Sequence, residues 1–194
     1  NGRPRLAGGV ARGPLVAGTL VLTLGGFVFY NTNVLNEYRA PDDAGMAQAR
    51  YERQYRRFID APQPTIMRVE VRAELYPGER AAEVRGTYHL VNRTDVAIDS
   101  VHVMTIDPDV AVDSIAFDRP SRSVLQDDAA HYRILTLERP LQPGHSLQLT
   151  FALSYRPRGF RNNAQPRAVT RNGSHFGRSW LPAIGYQPMF ELAG

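Results

Sequence analysis

The spacing of the hydrophobic positions changes twice along this chain. Between Arg12 and Glu37 lie 24 residues without a charge, among them Leu15, Val16, Leu20, Val21, Leu22, Leu24, Phe27, Val28, Phe29 and Tyr30. Wound as a helix at about 1.5 Å per residue, this stretch is roughly 36 Å long, enough for the ~30 Å hydrocarbon core of a bilayer. It reads as a membrane span with Phe29 and Tyr30 at the outer interface. Arginines precede it and Glu37, Asp42 and Asp43 follow, so the positive-inside rule puts the N-terminus in the cytoplasm and everything after about residue 36 outside. Two rival readings are a cleaved signal peptide and a buried element of a soluble core. The bulky Phe27-Val28-Phe29-Tyr30 exit has no small-x-small cleavage site, which speaks against the first. Gly18, Gly25 and Gly26 weaken a helix in water and so favour the second.

From Pro41 the period becomes helical. Asp42 and Asp43 sit at the start of the segment and Arg50, Arg53, Arg56 and Arg57 crowd its end, both favoured by the helix dipole. Tyr51, Tyr55, Phe58 and Ile59 fall on one face, which predicts an amphipathic helix docked on the downstream chain. Ala61-Pro62-Gln63-Pro64 ends it as a short stiff linker. From Met67 the period is two: Met67, Val69, Val71, Ala73 and Leu75 alternate with Arg68, Glu70, Arg72 and Glu74. After a turn at Pro77-Gly78-Glu79-Arg80, the run Ala82, Val84, Gly86, Tyr88 and Leu90 completes a hairpin. Asn92-Arg93-Thr94-Asp95 turns the chain again, and strand-like runs come after it at Ile98 to Ile106, Val110 to Phe117, Tyr132 to Leu137 and Leu147 to Tyr155. Short half-apolar strands at this spacing specify a mainly β fold, an antiparallel β-sandwich or open barrel, preceded by a transmembrane helix and a short amphipathic helix. The expected organisation is residues 1–36 as basic flank and span, 37–64 as amphipathic helix and linker, 65–155 as sandwich and 156–194 as an arginine-rich loop that hands over to a further domain.

Composition narrows the function. All 23 basic residues are Arg, against 19 acids, a surplus too small for a nucleic-acid binder with a cationic surface. Cysteine is absent, which excludes disulfides, thiol nucleophiles and thiolate metal sites. The five histidines are scattered, without a His-Glu-x-x-His helix, and His102 with Asp107 or Asp109 is a thin metal constellation. No serine has a Gly-x-Ser-x-Gly elbow; Gly173-Ser174-His175-Phe176-Gly177 comes nearest. Asp42-Asp43, Asp107-Asp109 and Asp127-Asp128 occupy helix-start and turn positions where Asp is expected structurally. The lopsided feature is charge: seven arginines and no acid from Arg139 through Phe190. Arg158, Arg161, Arg167 and Arg171 could receive an acidic partner or phospholipid headgroups, or acids of an adjoining domain could neutralise them.

Several segments resemble large bacterial membrane proteins that fuse an ABC-transporter-permease-like region to an extracytoplasmic domain of the zinc aminopeptidase N family. They are Phe27-Val28-Phe29-Tyr30-Asn31-Thr32-Asn33-Val34-Leu35-Asn36-Glu37-Tyr38-Arg39, Ala49-Arg50-Tyr51-Glu52, the Pro62-Gln63-Pro64 linker and the strand pair through Leu90-Val91-Asn92. Leu141-Gln142-Pro143-Gly144-His145-Ser146-Leu147-Gln148-Leu149-Thr150-Phe151 resembles the L-x-P-G start of a strand in that family's N-terminal β-domain. Trp180-Leu181-Pro182-Ala183-Ile184-Gly185-Tyr186-Gln187-Pro188 occupies the hand-over towards its catalytic domain. The order of these segments carries the resemblance, from Phe27 to Pro188.

The resemblance implies a last membrane span plus an N-terminal β-domain, an antiparallel β-sandwich or saddle, that packs over a zinc-bearing catalytic domain, where zinc activates water and polarises the peptide carbonyl. No cofactor is expected within these residues, and zinc is expected in the parent. The implied partners are membrane lipid, the downstream catalytic domain and the parent's peptide substrate, with no nucleic acid. The implied location is the bacterial inner membrane. Trp180, Tyr186 and Gln187 join the four arginines as expected partner or domain contacts. The absent initiating Met and the ending at Leu192-Ala193-Gly194 suggest a piece of a longer polypeptide. The family's amine-gripping loop corresponds to Val169-Thr170-Arg171-Asn172-Gly173-Ser174-His175-Phe176, which has no carboxylate, so aminopeptidase specificity is not carried over. A different class, a non-enzymatic extracytoplasmic interaction module acting through the Arg156 to Arg178 loop, fits the same charges.

Overall fold

The structure, a computed structural model, describes residues 12–162 and 168–192. The chain forms two compact units, one drawn from Asn1–Ala40 with Arg158–Gln165 and the other from Pro41–Pro157 with Pro166–Gly194.

The first unit is built on α1 (Arg12–Phe29), which continues through a π-helical turn over Tyr30–Val34. The stretch Gly13–Val34 is long and apolar enough to cross a membrane, and Leu15, Leu22, Leu24 and Phe27 stand exposed. Its hydroxyls are satisfied internally: Thr19 Oγ1 donates to the Leu15 carbonyl at 2.9 Å and Thr23 Oγ1 to that of Thr19 at 2.8 Å. The helix therefore presents few unsatisfied polar groups along its apolar length.

The second unit is mainly β, as the alternation predicts. Its strands are β1 (Thr65–Tyr76), β2 (Ala81–Val91), β3 (Ile98–Met104), β4 (Val110–Phe117), β5 (Ser121–Asp127), β6 (Tyr132–Leu141), β7 (Ser146–Tyr155), β8 (Val169–Thr170), β9 (Gly173–Ser174) and β10 (Ala183–Ile184). One antiparallel sheet has the order β1-β2-β7-β4 and a second the order β10-β3-β6-β5, while β8 and β9 form a separate small hairpin. The inner faces meet in a single core. Val84, Tyr88 and Leu90 of β2 and Leu147, Leu149, Phe151, Leu153 and Tyr155 of β7 pack with Val101 and Val103 of β3 and Leu135 and Leu137 of β6. The second sheet is covered on its other face too. His102 and Met104 of β3 and Tyr132 and Ile134 of β6 are buried, and α2 (Asp43–Tyr55) supplies Tyr51 and Tyr55 to the same cluster.

Three details depart from the expected pattern. β5 has no alternation that singles it out, because Ser121, Arg122 and Ser123 are polar and a register shift falls between Ser123 and Leu125; as an edge strand it needs only one hydrogen-bonded neighbour. Ile59 lies beyond α2 and its short 3-10 extension and is exposed, so the buried face of the helix stops at Phe58. The apolar face of β1 is not covered: Met67, Val69, Val71 and Leu75 are 40–53% exposed.

The turn after β2 is held by a fully buried amide. Asn92 Nδ2 donates to the carbonyls of Val96 (2.7 Å) and Leu141 (2.8 Å), and its Oδ1 accepts from the Thr94 N–H at 2.9 Å. In β2, Gly86 lies opposite Phe151, whose ring occupies the space a side chain would need. A Cβ there would overlap the Phe151 ring and stand 2.8 Å from the Glu70 carbonyl oxygen. Gly86→Ala is expected to destabilise the chain by about 1–3 kcal/mol, the usual range for overpacking, read as a lower urea midpoint with unchanged slope; an unchanged midpoint would show that Phe151 can move aside freely.

Candidate functional site

Four of the candidate contacts gather in two places, Tyr186 and Gln187 in the sandwich unit and Arg158 and Arg161 in the helical unit. In the sandwich unit, Tyr51 and Tyr55 lie one helical turn apart, so both face the second sheet. The Tyr51 ring stacks on Tyr186 with centroids 5.0 Å apart and planes at 3°, and Tyr55 lies 4.4 Å from Tyr132. Each phenol oxygen has a partner. Tyr55 donates to Asp127 Oδ2 at 2.7 Å, Tyr186 donates to Glu191 Oε1 at 2.9 Å, and the Gln187 backbone N–H donates to Tyr51 Oη at 2.9 Å. Tyr132 Oη lies 2.6 Å from His102 Nδ1, and His102 packs edge-on against Phe58.

Burial governs the titration of this cluster. It pushes Tyr51 up to about 12, and burial with the Asp127 carboxylate pushes Tyr55 up to about 12; Tyr132 and Tyr186 rise for the same reason, Tyr186 also through Glu191. The phenols are therefore fixed hydrogen-bonding groups at neutral pH. Burial would raise Asp127, but the Tyr55 hydroxyl, the Ala130 and Ala129 N–H groups and Arg50 together hold it below its ordinary value. Burial holds the His102 imidazole below its ordinary value, which favours the neutral ring.

Arg50 of α2 and Arg56 and Arg57 of the 3-10 turn that follows it are held by ion pairs and a ring contact. Arg50 pairs with Asp127 at 3.1 Å, Arg56 with Glu52 at 2.6 Å and Glu191 at 3.5 Å, and the Arg57 guanidinium lies 4.7 Å over the Phe58 ring. Of the expected contacts, Trp180 is buried in the sandwich core between Phe176 and Tyr155, at 4.9 Å and 4.8 Å. Tyr186 and Gln187 belong to the tyrosine cluster, and the Gln187 side chain donates to the Ile184 carbonyl at 3.0 Å. Arg171 is exposed in the turn between β8 and β9. Arg167 lies outside the described residues.

Arg158 and Arg161 belong to the helical unit. There the turn Arg158–Asn162 lies against the end of the apolar helix, and Asn36 holds it. Asn36 Nδ2 is within hydrogen-bonding distance of the carbonyls of Asn31 (2.9 Å), Arg158 (2.9 Å) and Phe160 (3.2 Å), and Arg161 Nε donates to Asn36 Oδ1 at 3.3 Å. Asn162 and Arg39 bond reciprocally, side-chain amide to backbone, at 2.6 and 3.2 Å. Phe160 packs on Phe27 with centroids 5.8 Å apart. Gly159 adopts φ +54° and lies so close to the Asn31 amide that a Cβ would overlap its oxygen, so only glycine fits this approach without strain. The run of arginines drew attention in the sequence; Asn31, Asn36, Gly159 and Phe160, which position two of them, carried no periodic signal.

No group of three or more His, Asp or Glu among the described residues could hold a metal ion. Asp107 caps its own turn by accepting the Asp109 N–H at 2.9 Å, and His102 is committed to Tyr132. The described residues thus offer no zinc site; the zinc that the resemblance implies is expected in the parent's catalytic domain. A shallow depression on the first sheet, lined by Glu83, Arg85, Asp113, Ser154 and Arg156, is internally compensated: Arg156 pairs with Glu83 and Ser154 donates to Asp113 at 2.9 Å.

No family model matches the chain, and no curated protein matches it. Among solved structures it is similar to an M1 zinc metallopeptidase from Deinococcus radiodurans, at 17% identity and a TM-score of 0.41 over 62% of this chain and 28% of that one. A mutant from the same organism bound to a Tyr-Ser-Ala substrate gives 18% identity and a TM-score of 0.41 over 62% and 29%. A two-domain M1 zinc metallopeptidase mutant bound to L-tryptophan gives 17% and 0.39 over 53% and 22%. The chain thus spans less than a third of the length of these structures.

The geometry sets two outcomes. Because His102 binds its proton less readily when folded, the unfolded state takes up more protons below its ordinary value of about 6.5, and stability falls as pH drops through that range. Urea midpoints should decline from about pH 7 to pH 5, and His102→Gln should flatten that slope; equal slopes would rule out this linkage. Asn36→Ala leaves three carbonyls without their donor, an expected local cost of about 1–3 kcal/mol, and amide hydrogen exchange at Arg161 and Asn162 should accelerate about tenfold or more.

Proposed function

We propose that this chain is the membrane-anchored N-terminal β-domain of a zinc aminopeptidase-like membrane protein, non-catalytic by itself, which packs on a downstream catalytic domain and shapes access to it. The observation that carries this reading is the exposed apolar face of β1. Val69, Val71 and Leu75 lie opposite Tyr88, Gly86 and Ala82 and so continue the inner face of the first sheet, with Met67 exposed at the register shift before them, while the second sheet's core contacts come from β3 and β6. A contiguous apolar strip of this kind, on a strand that forms the sheet edge among the described residues, marks a surface meant to be covered.

The order of resembling segments from Phe27 to Pro188 points to the same family. The tyrosine cluster adds a mechanical reason: it holds Tyr186, Gln187 and Glu191 against α2, so the segment read as the hand-over leaves the domain in a set direction. Gly13–Val34 would be the last span of an ABC-transporter-permease-like region in the bacterial inner membrane, with the sandwich outside. Zinc, when bound, would activate water in the downstream domain, and the peptide substrate would be met there. What this chain's own residues do is anchor, cover and orient.

The parent protein is expected to carry zinc by metal analysis and to hydrolyse aminoacyl-arylamides or peptides. Val69→Glu with Val71→Glu places charges in the proposed interface and is expected to lower that hydrolysis about tenfold or more, an effect of at least ~1.4 kcal/mol, with the sandwich still folded because both side chains are exposed in this structure. A parent without zinc or peptidase activity would end the enzyme reading and leave a non-enzymatic interaction module.

A further inference from the structure

We infer that the turn Arg158–Asn162 is a second membrane contact of this chain, with the Phe160 ring at the hydrocarbon boundary and Arg158 among lipid headgroup phosphates. This rests on reading Gly13–Val34 as a membrane span. The depth of the turn is set by its neighbours. Asn31, Thr32 and Asn33 end the apolar run, and Phe27 lies one helical turn, about 5 Å of rise, before them. The Phe160 ring is 5.8 Å from that of Phe27. If Phe27 is within the apolar slab, Phe160 is beside it.

Backbone at that depth must have its hydrogen bonds satisfied without water. The turn meets that demand: the carbonyls of Arg158 and Phe160 both face Asn36 Nδ2, at 2.9 and 3.2 Å. Asn31, whose oxygen lies beneath Gly159, donates to the Phe27 carbonyl at 2.9 Å. A turn built for water would not need two of its carbonyls answered by one half-buried amide. Arg158 is exposed, and no carboxylate among the described residues pairs with it. A guanidinium two residues from an inserted aromatic is well placed to reach back to phosphate, as long cationic side chains do at interfaces.

The chain has no cysteine, so single-cysteine labelling of the full chain in lipid nanodiscs is direct. A polarity-sensitive fluorophore is placed at Phe160→Cys, with Leu22→Cys as the mid-helix reference and Val124→Cys, exposed on β5, as the sandwich reference; lipids carrying a quencher at shallow or deep acyl positions report depth. The Leu22 label should be quenched from the deep position and the Phe160 label from the shallow one, several-fold more than the Val124 label. Phe160→Trp in a Trp180→Phe background repeats the reading with an aromatic ring retained. Arg158→Glu should weaken the shallow quenching in discs containing anionic phosphatidylglycerol, and millimolar free phosphate should leave it unchanged; loss of quenching on adding free phosphate would reassign Arg158 to a soluble anion and overturn its lipid role. A quenched Leu22 label with a Phe160 label that behaves like Val124 overturns the inference and leaves the span standing. An unquenched Leu22 label overturns the span, and this inference with it.

Discussion

The ladder between β2 and β7 is the constraint on which the sandwich depends. Ten residue pairs run from Ala82 opposite Tyr155 to Val91 opposite Ser146, and both strands are interior to their sheet. A slip of one residue would turn Val84, Tyr88, Leu90, Leu149, Phe151 and Leu153 to the opposite face. β1 and β4 take their registers from these two strands. Gly86 shows how tightly the pair is set, because the Phe151 ring fills the gap that the missing side chain leaves.

Around that core the chain places polar groups where water is scarce and answers each one locally. Asn92 stitches the turn after β2 and His102 meets Tyr132. An unanswered group in such surroundings costs about as much as a lost hydrogen bond or more, so these amides and imidazoles specify geometry more than they add stability. The result is a domain whose second sheet is closed on both faces while its first sheet keeps an apolar edge open.

That asymmetry joins structure to function. The tyrosine cluster and its ion pairs seal the α2 side of the second sheet. The β1 face, by contrast, keeps its apolar side chains exposed, and the turn at Arg158–Asn162 meets an apolar helix with its backbone already satisfied. One surface suits a protein neighbour and the other a bilayer.

Periodicity alone determined the class of each long element. The uncharged run predicted the apolar helix, the Tyr51, Tyr55 and Phe58 spacing predicted a docked helix, and alternation predicted the hairpin and four further strands, because each pattern reflects one local environment repeated along the chain. β5 escaped because an edge strand rich in Ser and Arg has no such repeat. Tertiary structure alone decided which apolar faces are covered, and so left β1 open; it also put Trp180, Tyr186 and Gln187 inside the fold and drew Arg158 and Arg161 to the helix end through Asn36, Gly159 and Phe160. Those outcomes hang on contacts between residues distant in sequence, where a single amide or a missing Cβ sets the geometry, and a single residue leaves no period to read.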